Sequence, residues 1–208
     1  MNADAIVEQF HQQRASAILR TPYAEAVQPA MSAAVDGGFR FVEFTLNTPG
    51  ALEAIATFAA DSRLIVGAGT VMTPEQVDQA IDAGARFIVS PIVDEAVIEQ
   101  TLRRDAVAMP GCSTPTELMR AARAGAQLQK VFPAPAGGAS FARACLGPMP
   151  ELKLVPTSGV DADNVADWFA AGAWAVGFVA PLFVDAWLRE GQFDRVRERA
   201  ELLLRAAG

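Results

Sequence analysis

The strongest constraint on how this chain folds is a unit that recurs four times along it. The segments "AAVDGGFRFVEF", "AIDAGARFIVSP", "ARAGAQLQKVF" and "FAAGAWAVGF" each run from a helix end through small residues and glycine into an apolar stretch. Glycine closes a helix at its C-terminal cap because it accepts a left-handed backbone that side chains resist. The stretch after each cap is short, apolar and rich in Val, Phe and Ile, the pattern of a strand buried on both faces. Further strand candidates lie at "SAILR", "RLIVGAG", "DAVAMPG" and "LKLVPT", each leading into a helical pattern, which brings the count to eight.

Helix starts are marked as well. "TPEQVDQAIDAG" places Thr73 at the N-cap, Pro74 at the first helical position and Gln76 where a capping box wants Glu or Gln. "TPTELMRAARAG" repeats the device with Thr114, Pro115 and Glu117. Alternation of strand and helix predicts a parallel sheet with helices outside it. Eight such units in 208 residues favour closure into a (β/α)8 TIM barrel over an open doubly wound sheet. The expectation is an α/β chain whose residues 1–208 form a single barrel domain, with no linker marking a second. A hydrophobic fraction of 51% against 20% charged residues supplies one large core.

A net charge of −7 and a pI near 4.8 argue against nucleic acid or an anionic membrane as partner, since both would be repelled. Cys112 and Cys145 form no metal-spaced set, so they read as reduced, buried thiols. The opening "MNADAIVEQFHQQRAS" lacks the basic patch and unbroken apolar run of a secretory leader, which leads to the expectation of a cytoplasmic protein. His11, the single histidine, lies in that amphipathic segment and reads as a surface or packing residue, which leaves Ser-His-Asp chemistry and histidine zinc sites without a donor. No metal and no cofactor are called for.

In a barrel of this kind function gathers at the C-terminal ends of the strands. Lys130 lies in such a strand, and it is one of two lysines in a chain whose other basic residues are arginines. Strand alternation sends Leu128, Lys130 and Phe132 to one face, and Phe41, Glu43 and Thr45 to one face of the second strand. If the large apolar members face the interior, an amine and a carboxylate enter it together. A satisfied buried ion pair explains this as well as catalysis does. A desolvated lysine can lose its proton and become a nucleophilic amine, which arginine cannot. Imine chemistry then needs an acid/base, for which Glu43 is placed, and a carboxylate substrate needs donors, which Arg20 and Thr70 of "GAGTV" offer. Lys153 begins its strand, at the end away from such a site.

Taken in order, "VEFTLNTP", "VGAGTVMTPEQ", "IVSP", "MPGCSTPTEL", "QKVFPA" and "PTSGV" resemble the class I 2-keto-3-deoxy-6-phosphogluconate (KDPG) / 4-hydroxy-2-oxoglutarate aldolase family. The resemblance runs from about Ala17 to the final helix. "AILR" with "LNTP" is more similar to the branch acting on the galactonate epimer, KDPGal, than to the branch with arginine in place of Asn47. The resemblance implies a metal-free homotrimer of TIM barrels that cleaves a 2-keto-3-deoxy sugar acid to pyruvate and an aldehyde. It makes Lys130 the Schiff-base lysine and Glu43 the general acid/base. Arg20, Thr70 and Pro91 would line the pyruvyl part of the site, with Phe132 beside the lysine.

Phosphate in such barrels is held by backbone N–H groups of the loops after strands seven and eight, here carrying Ser158, Gly159 and Gly177. Where the family often reads Gly, a small residue and Ser, this chain has Gly177, Phe178 and Val179. The lost hydroxyl and added bulk predict a narrower phosphate end and a weaker preference for a 6-phosphate, with 4-hydroxy-2-oxoglutarate or an unphosphorylated sugar acid competing. Two other classes fit the same residues: a phosphate-binding barrel isomerase or epimerase in which Lys130 acts only by charge, and a non-catalytic sugar-acid binding protein.

Overall fold

The computed structural model describes residues 2–208. Eight parallel strands form one sheet: β1 (Ala15–Leu19), β2 (Phe41–Thr45), β3 (Ile65–Gly69), β4 (Phe87–Ser90), β5 (Val107–Cys112), β6 (Gln129–Val131), β7 (Leu154–Pro156) and β8 (Val176–Phe178). Their order is β7-β6-β5-β4-β3-β2-β1-β8, and the Trp174 N–H donates to the Leu154 carbonyl at 2.9 Å to bring the two ends together. The result is a nearly closed (β/α)8 TIM barrel. Helices α2 (Val27–Asp36), α3 (Ala51–Ala59), α4 (Pro74–Asp82), α5 (Glu95–Arg103), α6 (Pro115–Arg123), α7 (Ala139–Leu146) and α8 (Val165–Ala170) come after strands one to seven in turn. Among the described residues, no helix is long and apolar enough to cross a membrane.

The four glycine caps share one geometry. Gly38, Gly84, Gly125 and Gly172 have φ of +116°, +111°, +95° and +97°. After each, the next N–H reaches back five residues: Phe39 to Ala34, Ala85 to Ala80, Ala126 to Ala121 and Ala173 to Trp168, at 2.9–3.2 Å. This Schellman closure satisfies helix-end carbonyls and turns the chain toward the next strand. At the other helix ends Thr73 and Thr114 accept from the N–H groups of Gln76 and Glu117. Glu117 completes a capping box, whereas the Gln76 side chain takes the N–H of Met72, one residue before the N-cap.

Two apolar layers result. Between strands and helices lies the larger, containing Leu19, Val42, Phe44, Ile88, Val131 and Phe178 among others. Inside the barrel lies the smaller, with Phe41, Ile65, Phe87, Val107, Met109, Leu128 and Val155. An N-terminal helix, α1 (Ala3–Gln13), inserts Ile6, Val7 and Phe10 into that inner layer and plugs the N-terminal end of the barrel. Phe10 stacks on Phe41 with centroids 4.4 Å apart and planes 10° apart. Trp174 binds the plug by donating its indole N–H to the Val7 carbonyl at 3.1 Å, and His11 stacks on Trp174 at 4.0 Å, a packing role. Lys153 sits over the other part of this end, 4.8 Å from the Trp174 ring.

The remaining helices are α9 (Asp185–Arg189) and α10 (Phe193–Ala207), and α10 packs on α2, α8 and α9. Leu182 and Phe183 are buried against this layer, and Trp187 receives the guanidinium groups of Arg195 and Arg199 at 5.6 and 5.3 Å. From Leu182 to Trp187 the apolar run after β8 is therefore packing material.

Candidate active site

At the C-terminal mouth of the barrel opens a cavity of about 160 Å³. Arg20, Thr70, Pro91, Lys130, Phe132, Ser158 and Gly159 all line it. Strand parity explains the convergence. In β1, Ala15, Ala17 and Leu19 belong to the outer layer, so Ser16 and Ile18 face inward and Arg20 continues that face past the strand end. In β6, Val131 is outside and Leu128 inside, which turns Lys130 inward.

Lys130 is half-buried, its free surface opening on the cavity, and its amine lies 5.2 Å from the centroid of the Phe132 ring. Desolvation pulls its pKa below the ordinary lysine value, Glu43 opposes that shift, and the charge of Arg20 adds to it. Glu43 lies beneath the cavity surface, 0% exposed, with no hydrogen-bond partner on either carboxylate oxygen among the described residues. Burial raises its pKa, against the lowering pull of Lys130 and Arg20. Both groups are thus driven toward their neutral forms. A satisfied ion pair would show N–O contact within 4 Å, and the described residues contain none between these two.

Thr70 has φ +58°, a left-handed conformation rare for a β-branched residue, stored at the cavity wall. Gly159 has φ +70°, which lets the loop after β7 turn at the cavity rim. Gly177 does not reach the cavity. It lies under Ile18 and Thr157, where a β-carbon would meet their side chains at 2.6 and 2.8 Å. Phe178 corrects an expectation: its side chain points outward and packs edge-on against Phe39 at 6.2 Å, so it does not narrow the site. Val179, the next residue, does line it, together with Ala180 and Pro181.

Ile18, Thr45 and Thr157 complete the lining without having been assigned a role from sequence. The signal was available in the alternation that places Lys130 and Glu43, since Thr45 succeeds Glu43 and Thr157 succeeds Val155 at two-residue spacing. The Thr157 hydroxyl is buried and has no hydrogen-bond partner among the described residues. Cys112 is close by in β5, but its thiol donates to the Pro110 carbonyl and burial pushes its pKa up to about 12, which leaves no thiolate for attack.

Such a cavity, with a desolvated amine, a carboxylate below it and a guanidinium at its rim, suits carbonyl chemistry on a small anionic substrate. Comparison with known proteins agrees. A probable 2-dehydro-3-deoxy-6-phosphogalactonate aldolase of Rhizobium meliloti is 38% identical over 170 residues, covering 80% of each chain. A native KDPGal structure superposes with a TM-score of 0.83 at 32% identity, over 92% of this chain and 93% of that one. A Legionella pneumophila KDPG aldolase, with pyruvate captured at low pH as a covalent carbinolamine intermediate, gives a TM-score of 0.85 at 26% identity, over 95% and 97%. The family model for KDPG and KHG aldolases matches residues 6–199, and the chain belongs to that aldolase family.

Proposed function

We propose that this protein is a Schiff-base aldolase cleaving a 2-keto-3-deoxy-6-phospho sugar acid, KDPGal or KDPG, to pyruvate and glyceraldehyde 3-phosphate. The reaction makes it a carbon–carbon lyase. The observation that carries the reading is the Lys130 amine, desolvated at the cavity floor without an ion-pair partner among the described residues. Neutral Lys130 attacks the C2 carbonyl and gives a carbinolamine; protonated Glu43 gives its proton to the departing hydroxyl, so that water leaves and an iminium and the Glu43 carboxylate remain. Glu43 takes the proton of the C4 hydroxyl through that released water. The C3–C4 bond then breaks, its electron pair flows into the iminium, and the aldehyde leaves. The remaining enamine is protonated at C3 and hydrolysed to pyruvate and free Lys130.

Arg20 and Thr70 in this scheme hold the substrate carboxylate, while Pro91 and Phe132 wall the pyruvyl portion. Ser158 and Gly159 face the distal end, and Gly177 gives Ile18 and Thr157 room. That end carries Val179, Ala180 and Pro181, the last without an N–H, and among the described residues no basic side chain besides Arg20 and Lys130 lines the cavity. These residues support a weakened preference for phosphate, with 4-hydroxy-2-oxoglutarate and unphosphorylated sugar acids as competing substrates. A single domain over residues 1–208 and a cytoplasmic location complete the proposal, together with a homotrimer and a place in Entner-Doudoroff-type sugar-acid breakdown, which rest on the family resemblance.

Incubation with pyruvate and borohydride tests the reaction class. The aldolase predicts a stable pyruvyl adduct located on Lys130 by peptide mass spectrometry. An enzyme that turns over sugar acid and never forms this adduct would be an isomerase or epimerase instead.

A further inference from the structure

Arg20 comes directly after β1, is exposed, and its function depends on where the short segment Leu19–Arg20–Thr21 holds it. That segment is gripped on both sides, by the last residue of β2 and by the loop that follows it. The Thr45 hydroxyl donates to the Leu19 carbonyl at 3.3 Å, the Thr45 and Thr48 oxygens are 3.0 Å apart, and the Thr21 N–H donates to the Thr48 hydroxyl at 3.3 Å. A backbone N–H only donates and a carbonyl only accepts, so the order is forced: Thr21 N–H to Thr48, Thr48 O–H to Thr45, Thr45 O–H to Leu19. Each hydroxyl gives one hydrogen bond and receives one, and the chain closes around Arg20. Thr45 and Thr48 are both buried, at 4% and 3% exposure.

We propose that Thr48, which does not border the cavity, is a positioning residue for Arg20: the relay through Thr45 fixes the backbone on either side of Arg20 and so aims its guanidinium at the substrate carboxylate. The inference rests on the role given to Arg20 in the aldolase reading and names a residue that reading leaves unused. Valine at 48 keeps the shape and removes both links of the relay at that position. The Thr21 N–H then has no partner, and the segment carrying Arg20 is released on one side.

Steady-state cleavage by the full chain tests this. Thr48→Val is expected to lower kcat/KM about tenfold, the effect of one hydrogen bond of ordinary strength. Most of the loss falls on KM, because Arg20 binds and does not react. Thr48→Ser restores the wild-type value, and Thr48→Ala reproduces the KM-weighted loss. In an Arg20→Met background Thr48→Val adds little further loss. The Arg20 charge also lowers the titration of Lys130 and Glu43, so both limbs of the pH–rate profile move upward in Thr48→Val. Equal cost in both backgrounds, or no rescue by serine, would reduce Thr48 to a stability residue and overturn the proposal. Wild-type kinetics in Thr48→Val, with pyruvate still trapped on Lys130, would overturn it while leaving the aldolase reading intact. If the wild-type chain traps no pyruvate, the aldolase reading fails and this proposal falls with it.

Discussion

Gly69 stands so close to Glu43 that a β-carbon at position 69 would lie 2.0 Å from the Oε1 oxygen and 3.1 Å from the Thr45 methyl. The last glycine of "GAG" thus makes the space in which a carboxylate is buried. The obstructing atom is the far end of a flexible side chain, so alanine there displaces Glu43 and leaves the backbone of β3 in place. Gly69→Ala is expected to fold, to trap pyruvate on Lys130, and to lose about a hundredfold or more in cleavage kcat, the lower range of general acid–base catalysis. Circular dichroism, borohydride trapping and turnover together check it. Turnover within a few-fold of wild type would mean that Glu43 has room to spare.

Lys130 bears on stability with a definite sign. Its folded-state pKa is depressed, so between that value and the ordinary lysine value the unfolded chain binds more protons than the folded one. Folding stability therefore rises with pH across this window, and the lysine costs stability below it. Lys130→Met abolishes the adduct and raises the melting temperature, by a margin that is least near pH 10 and grows as pH falls toward neutrality. Thermal melts at several pH values measure this. A lower melting temperature at pH 7 would show that the amine has a compensating partner.

Much of this arrangement is legible in the sequence, for local reasons. A helix end leading into Gly at positive φ is a short-range event, so the four Schellman turns at Gly38, Gly84, Gly125 and Gly172 announce themselves. Alternation within β2 and β6 is also local, and it turns Glu43 and Lys130 inward. The same alternation, carried through β8, sends Phe178 out and Val179 in, which bulk alone obscures. Register between parallel strands is different, because no hairpin ties one to the next. The contact of Gly69 with Glu43, and the relay from Thr21 to Leu19, depend on which residues of β1, β2 and β3 lie abreast. The part played by α1 was hidden for another reason: an apolar face built by Ile6, Val7 and Phe10 has the same spacing whether it lies along a barrel or plugs its end.

Val179 offers a direct handle on the distal end of the cavity. It lines the wall where Ser158 and Gly159 present their loop, and its side chain offers no donor. A serine there adds one hydroxyl, and a hydrogen bond to a charged phosphate is worth about 1.5–3 kcal/mol, or roughly ten- to a hundredfold. Val179→Ser is therefore expected to raise kcat/KM for a 6-phosphorylated substrate by about tenfold over its dephosphorylated form, relative to wild type. Coupled pyruvate assays on both forms give the ratio. An unchanged ratio would place the phosphate away from residue 179.

Phe10 ties the N-terminal helix to the barrel from the end opposite the cavity. Its ring is buried, stacked on Phe41 and 6.2 Å from Phe87, so removing it opens a void bounded by two strands that cannot collapse without breaking the sheet. Truncation of a buried phenylalanine costs about 3–5 kcal/mol, and rigid surroundings favour the upper part of that range. Phe10→Ala is expected to lose that amount in urea unfolding while keeping its turnover per folded molecule, because Lys130 and Glu43 lie toward the other end of the barrel. The two readouts separate a plug from a peripheral helix. A loss under about 1 kcal/mol would mean the barrel closes its own floor, whereas a parallel fall in turnover of the folded protein would mean that the inner layer of Phe41 and Phe87 transmits strain upward to Glu43, two residues along β2 from Phe41.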